Sequence, residues 1–382
     1  MQVWFRQTAP YYHASADGSP TPFPVPGWMW DRSRGQQLYT DRMRFIRRLD
    51  ELGFDGIIFT EHHSGPNGGL MPSPIALMAA ASQVTERAKL ISMGVMLSLY
   101  PHPVRVAEEL ALVDNLSHGR LVPGFISATA QNLYAYNVSP DEERARYHEA
   151  YDLIVKAWTA PEPFEWHSEY YHYPCVSILP RPVQQPHPPT WTTAVAQESI
   201  QWAARKHMGF MSHGPTAECA ERLAYYRAFA ADQCEWSPCP ADLGISRELY
   251  VAPSTTRLNE AQIDELITDV FEADAAHEFG FMQRDMRLQA INRQRETVRS
   301  YEYLHTAAQP FHGAANSVEG RRSGQFLAGD PETLIEDIIA QQQTTGAGVL
   351  VIRNEVGAID LPRALEGLEL FAREVLPVIQ RI

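Results

Sequence analysis

The chain has 382 residues, of which 45% are hydrophobic and 20% charged, and its formal net charge at pH 7 is -14. This length and apolar content are sufficient for a large buried core and exclude extended disorder. The acidic balance argues against a nucleic-acid partner or an anionic membrane held by a basic surface.

Strand-like and helix-like segments alternate from one end of the chain to the other. Short apolar runs predict eight strands, at Val3–Phe5, Phe54–Phe59, Leu90–Leu97, Leu121–Ile126, Thr190–Thr193, Gly209–Ser212, Leu243–Ala252 and Gly348–Ile352. Apolar residues at helical spacing predict helices at 38–52, 74–85, 104–116, 141–158, 197–206, 218–233, 331–343 and 362–379. Each predicted strand is therefore followed by helical sequence before the next strand begins.

This alternation predicts an α/β fold in which a parallel sheet is covered by helices. Eight strand-helix units are the number in a (β/α)8 TIM barrel, and we predict one such domain over residues 1–382. A doubly wound open sheet is the alternative, but its GxGxxG turn is absent. Residues 253–324 do not fit the repeat. We interpret them as a long insertion after the seventh strand, either a lid or peripheral packing.

Three polar residues, Glu61, His62 and His63, directly follow the second predicted strand. The C-terminal ends of barrel strands carry the active site, so at least one of them is a candidate functional residue rather than a cap. Successive strand residues point to opposite sides, so only one histidine faces the barrel mouth, as a general base or hydrogen-bond donor. Adjacent histidines do not have metal-ligand spacing, and we predict no metal.

Three longer stretches resemble the bacterial-luciferase-like flavin-dependent monooxygenase family. They are GFDGIIFTEHH at the second strand, HPVRVAEELALVDNLSHGRL from His102, and PHPPTWTTAVAQESIQWAA from Pro186. Shorter matches, NVSP, GDPETL and ELFAREVLP, occur in the family's order. The resemblance therefore spans nearly the whole chain.

The resemblance implies a TIM barrel that binds reduced FMN (FMNH2) at the strand C-termini. The flavin reacts with O2 to give a hydroperoxide, which oxygenates a small to medium organic substrate. A separate flavin reductase supplies the reduced FMN in such systems, and a homodimer is possible. A sister branch uses coenzyme F420, so an F420-dependent oxidoreductase is one alternative. A non-catalytic flavin- or ligand-binding barrel is another.

The resemblance also implies site residues. His62 matches the catalytic histidine, and the family's unusual cis peptide falls at Gly94-Val95. Cofactor contacts match Gly94, Val95, Ser127, Thr129, Arg144, Val195, Ala196 and Ser199.

Two of these positions depart from the family pattern. Ser127 stands where an arginine is usual after the fourth strand, and Ala196 where a serine is usual in the fifth strand-helix loop. Losing a charged phosphate contact costs about 1.5–3 kcal/mol. Ser127, Thr129 and backbone amides at the start of the 197–206 helix partly compensate. The sequence therefore predicts a weak or altered FMN site.

The sequence also indicates the cellular compartment. The first residues lack the pattern of a secretory signal, and no apolar run reaches the roughly 18 residues of a membrane helix. The four cysteines form no CxxC pair, which favours free thiols, although Cys234 and Cys239 are close enough in sequence for a bridge. We therefore expect a cytoplasmic protein.

Overall fold

The computed structural model describes residues 1–9, 11, 27–63, 69–252, 257–268, 316–355 and 361–382. The described strands are β1 (Gln2–Gln7), β2 (Gly56–Phe59), β3 (Lys89–Ser92), β4 (Leu121–Val122), β5 (Phe164–His167), β6 (His172–Val176), β7 (Trp191–Thr193), β8 (Gly209–His213), β9 (Leu243–Val251), β10 (Phe326–Gly329) and β11 (Val349–Arg353).

The described helices alternate with these strands. They are α1 (Arg32–Leu52), α2 (Pro74–Ser82), α3 (Pro103–Leu116), α4 (Ala130–Ala135), α5 (Pro140–Thr159), α6 (Gln197–Arg205), α7 (Thr216–Cys234), α8 (260–268), α9 (Ser317–Arg322), α10 (Pro331–Thr345), α11 (Leu361–Glu374) and α12 (Leu376–Ile379). Among the described helices, none is long and apolar enough to cross a membrane.

The sheet is parallel and nearly closed. Its strands run in the order β4-β3-β2-β1-β11-β9-β8-β7, and β10 pairs with β9 outside this path. The circle is completed between β4 and β7, where Phe125 N donates to Trp191 O and Trp191 N donates to Pro123 O, both at 2.9 Å. The predicted TIM barrel is thus confirmed.

The barrel interior is filled by large apolar side chains. Trp4 of β1 and Trp191 of β7 meet edge to face, with ring centroids 4.7 Å apart. The alternate side chains of the strands pack outwards against the helices, because residues of one strand point in turn to the two sides of the sheet. Glycine is required beside such rings: a Cβ at Gly209 would lie 2.2 Å from Trp191 Cε2.

Strands β3 and β4 are shorter than predicted. The expected strand at 90–97 ends at Ser92, and the expected strand at 121–126 is regular only at Leu121–Val122. Beyond it, Gly124 and Phe125 form single bridges to Trp191 and Val95. The interruption at Pro123 follows from its missing N–H, which cannot donate to a neighbouring strand.

The chain also contains strands that the sequence did not predict. β5 and β6 form an antiparallel pair within residues 161–189, a segment rich in proline and aromatic residues. β10 pairs with the last residues of β9, Glu248–Val251, beyond the end of β8. The predicted insertion at 253–324 does follow the seventh barrel strand, β9, but most of it lies outside the described residues, so the lid stays a prediction. All four cysteines are free thiols.

Barrel closure predicts a strong effect of Gly124→Ala. A Cβ at Gly124 would lie 2.1 Å from the backbone oxygen of Ser92, so β3 and β4 would have to separate. We expect the free energy of unfolding to fall by about 1–3 kcal/mol or more, as in overpacked cores. Urea unfolding measures this, with Gly27→Ala as the matched control because no atom lies within 4 Å of its Cβ position. Equal midpoints for the two variants would contradict the close approach of Gly124 to the Ser92 backbone.

Candidate active site

The predicted site residues lie where the parallel barrel strands end. Glu61, His62 and His63 follow β2, and Gly94 and Val95 follow β3. Ser127 and Thr129 come after β4, and Val195 and Ala196 lie between β7 and α6. The carboxyl ends of parallel strands meet at one face of a barrel, so these segments share the same mouth.

Glu61 organises one side of this mouth. Its carboxylate is 1% exposed and accepts hydrogen bonds from Met96 N at 3.1 Å and from the Tyr100 hydroxyl at 3.2 Å. The other oxygen lies 2.8 Å from His63 Nε2. Burial, followed by the Glu61 charge, raises the pKa of Tyr100, which keeps its hydroxyl a donor to the carboxylate.

His63 links Glu61 to Tyr136. Because a carboxylate accepts hydrogen bonds, the pattern assigns the His63 proton to Nε2 and leaves Nδ1 to accept from the Tyr136 hydroxyl at 2.9 Å. The two rings are also in contact, with centroids 4.7 Å apart. Burial, then Glu61, raises the pKa of Tyr136. Glu61, His63 and Tyr136 thus form one hydrogen-bonded chain, in which His63 is turned away from the barrel lumen.

His62 has different surroundings. Burial, followed by the charges of Arg6, His63 and Arg353, lowers the pKa of His62 from 6.5 to about 4. Its half-buried imidazole is therefore neutral at pH 7 and makes no hydrogen bond to another described side chain. Arg6 and Arg353 lie on β1 and β11, which places His62 on the lumen side of the mouth.

A charged layer covers the apolar interior next to His62. Arg6 Nη2 lies 2.6 Å from one oxygen of Glu248, and Arg353 Nε lies 2.7 Å from the other. The three side chains come from β1, β11 and β9 and are 14–27% exposed. Sequence reasoning missed this cluster. The available signal was a charged residue near the end of an apolar strand, as in VWFRQ and VLVIR.

The predicted cis peptide lies one bond earlier than expected, between Met93 and Gly94 rather than between Gly94 and Val95. The following residue joins the ends of two strands: Val95 N donates to Gly124 O at 2.9 Å, and Ile126 N donates to Val95 O at 3.2 Å. A Cβ at Gly94 would lie 2.8 Å from Ile126 Cγ2, so only glycine fits here. The cofactor contacts of Gly94 and Val95 stay predictions.

The predicted phosphate residues lie around the starts of α5 and α6. Arg144 Nη1 is 2.5 Å from Glu198 Oε2, in the first turn of α6 that also contains Ser199. Ser127 is exposed, while Thr129 Oγ1 accepts a 3.4 Å hydrogen bond from Asn132 N.

Two features at this corner bear on anion binding. Ala196 caps α6 without a side-chain hydrogen bond, and Val195 is exposed. Beside Ser127, Ala128 N donates to the buried carboxyl of Glu143 at 3.0 Å, and burial raises the pKa of this carboxyl. The corner therefore contains the predicted arginine together with two carboxyl groups that the sequence did not point to, Glu143 and Glu198.

Over the described residues, no group of three or more histidine, cysteine or acidic side chains could hold a metal ion.

The family profile described as luciferase-like monooxygenase matches residues 25–348. Among curated relatives, protein y4wF of Sinorhizobium fredii is 32% identical over 56% of this chain and 63% of its own length. The alkanal monooxygenase beta chain of Photorhabdus luminescens is 30% identical over 45% of this chain and 52% of its own. The oxygenase component of the flavin-dependent trigonelline monooxygenase of Acinetobacter baylyi is 27% identical over 46% and 48%. The matched part of this chain thus covers between about half and just under two thirds of the length of each of these relatives.

Solved structures share the fold over nearly the full length. Monooxygenase RslO1 of Streptomyces bottropensis has a TM-score of 0.72 at 23% identity, with 99% of both chains covered. The oxygenating constituent of the 3,6-diketocamphane monooxygenase of Pseudomonas putida, in complex with FMN, has a TM-score of 0.71 at 18% identity, covering 99% and 98%. An F420-dependent secondary alcohol dehydrogenase has a TM-score of 0.67 at 12% identity over the same shares.

The lowered histidine pKa values predict acid sensitivity. His148, stacked on Trp202 at 4.1 Å, also has its pKa lowered to about 4, by burial and then by Arg144 and Lys206. For both His62 and His148 the folded value lies below the ordinary 6.5, so the unfolded chain binds protons first as the pH falls. Stability is therefore lost between about pH 6.5 and about pH 4.

We expect His62→Asn and His148→Asn each to reduce the fall in melting temperature between about pH 7 and about pH 4.5. Calorimetry at the two pH values measures this fall. His172→Asn, on the exposed strand β6, controls for the removal of a histidine. A fall as large as that of the parent chain in both variants would contradict the assigned cause.

Proposed function

We propose that this chain, which belongs to the luciferase-like monooxygenase family, is a flavin-dependent monooxygenase that uses reduced FMN and O2. The observation that carries the proposal is the neutral, half-buried His62 at the barrel mouth, the position matched by the family's catalytic histidine. In the proposed reaction one atom of O2 enters a small to medium organic substrate and the other leaves as water.

The residues at the mouth fit a flavin. Gly94 has no side chain, and Ile126 already packs where its Cβ would lie, so only backbone atoms of Gly94 would contact a flat ring system at this point. Ala196 supplies no side-chain acceptor at the start of α6, so the first N–H groups of this helix can donate to an anion. Arg144, Thr129 and Ser199 would complete the phosphate end. Reduced FMN, when bound, supplies the electrons that activate O2.

The surroundings of His62 favour one role over another. A pKa of about 4 makes its imidazole a weak base at neutral pH. The same neutral imidazole carries one N–H, which can donate to an oxygen that becomes negative during the reaction. We therefore assign His62 as a hydrogen-bond donor that stabilises such an oxygen. Arg6 and Arg353 disfavour a further positive charge on the ring, which preserves this neutral form.

The proposal extends to the partner. One relative is named as the oxygenase component of a flavin-dependent monooxygenase, which supports a separate flavin reductase as the source of reduced FMN. The homodimer and the cytoplasmic location stay predictions.

An F420-dependent oxidoreductase is the second candidate, because an F420-dependent alcohol dehydrogenase shares the fold over 99% of this chain.

A cofactor titration separates these functions. We expect reduced FMN to bind the purified chain and to consume O2, and reduced F420 to bind more weakly. With an alkanal and trigonelline as probe substrates, mass spectrometry after reaction under isotopically labelled O2 should show one labelled oxygen in the product. Hydride transfer from F420 without label would support the second candidate. If the chain binds neither a flavin nor F420, both enzymatic functions are contradicted.

His62→Leu should lower product formation by about 100-fold or more, because the leucine side chain has no N–H to donate to the developing negative oxygen, whereas flavin binding should change little. The measurement is product formed per reduced FMN oxidised, with His172→Leu as the control. His63→Asn, which breaks the chain to Glu61 and Tyr136, should reduce stability as well as activity. Full turnover by His62→Leu would remove the assigned role.

A further inference from the structure

Arg144 and Glu198 meet because the barrel closes between β4 and β7. α5 follows β4 along the chain and α6 follows β7, so the starts of both helices come close enough for a side-chain contact. Arg144 is the fifth residue of α5 and Glu198 the second residue of α6. Their side chains are 47% and 79% exposed, and the guanidinium and carboxylate are 2.5 Å apart.

The pair changes the charge of the predicted phosphate corner. Arg144 is the arginine matched to the phosphate, and in this structure it already pairs with a carboxylate. Ser127 brings no charge to the same corner. The buried Glu143 carboxyl accepts from Ala128 N, and Ser98 Oγ lies 3.4 Å from the same oxygen. A phosphate arriving here must share Arg144 with Glu198 or displace it, and in both cases it remains near the negative charge of Glu198.

We propose that Glu198 is a specificity-determining residue of the flavin site, which occupies Arg144 and thereby makes flavin binding nearly independent of the phosphate group. This inference rests on the proposed function, because it presumes that a flavin binds at the barrel mouth. The chain then recognises mainly the isoalloxazine ring and the ribityl chain of the flavin. FMN and riboflavin, which differ only in the phosphate, bind with dissociation constants within about fivefold of each other, because the attraction of the phosphate to Arg144 is offset by the competing charge of Glu198 beside it.

Equilibrium titration of the purified full chain tests this directly. The probes are FMN and riboflavin, each in oxidised form by fluorescence quenching and in reduced form under anaerobic conditions, at low ionic strength where charge effects are largest. Glu198→Gln removes the negative charge and keeps the shape of the side chain. Glu374→Gln is the matched control: Glu374 also pairs with an arginine, Arg373 at 2.8 Å, but it lies at the end of α11, near the opposite face of the barrel.

We expect Glu198→Gln to tighten FMN binding by about tenfold and to leave riboflavin binding unchanged, because only FMN carries the charge that Arg144 can then bind. Glu374→Gln changes neither affinity. Arg144→Gln weakens FMN binding more in the Glu198→Gln background than in the parent chain, since Glu198 no longer competes for the guanidinium.

Other results overturn the inference and separate it from the proposed function. If FMN binds the parent chain more than tenfold tighter than riboflavin, or if Glu198→Gln leaves FMN affinity unchanged or weaker, Glu198 does not restrict the phosphate. Flavin binding in those cases leaves the proposed function intact. If neither flavin binds the parent chain or Glu198→Gln, in oxidised or reduced form, the proposed function falls and the inference with it.

Discussion

Two backbone hydrogen bonds of Trp191 close the barrel, and the candidate site depends on them. They join Trp191 to the segment around Gly124, where β4 has already lost regular pairing at Pro123. Because this contact sets β4 beside β7, it also sets the start of α5 beside the start of α6. The corner that contains Arg144 and Glu198 is therefore a product of closure. Glycine at 124 is the local condition for it, since Ser92 occupies the space that a side chain would need.

The mouth is built as layers of different polarity. Trp4 and Trp191 fill the apolar interior, and the Arg6–Glu248–Arg353 cluster lies between this interior and the open end. The two guanidinium groups share the Glu248 carboxylate, and the charges of both lower the pKa of His62. Burial and positive charge then work in the same direction and hold the imidazole neutral. The neighbouring His63 points instead to Glu61 and Tyr136.

Local patterns were enough to predict the architecture but not the full site. Eight apolar runs, each followed by helical spacing, identified the barrel, and strand polarity placed the Glu61–His63 segment at its mouth. The strand β10 was missed because four residues between a polar stretch and a helix are too short to show a period. The Arg6–Glu248–Arg353 cluster and the Arg144–Glu198 pair join residues 54–242 positions apart. Nothing in the local sequence relates such partners, since only the closed barrel brings them together.

The pairing of β10 with β9 has a consequence for how the chain can vary. Glu248 to Val251 pair with Phe326 to Gly329, and Ala252 N donates to Gly329 O at 2.9 Å. The long segment that connects β9 to β10 therefore begins and ends at neighbouring strands of the same sheet. Loop-closure entropy depends only weakly on length, so this segment can be lengthened, shortened or exchanged at little thermodynamic cost to the barrel. Variation in the length of this segment is therefore compatible with an unchanged barrel frame.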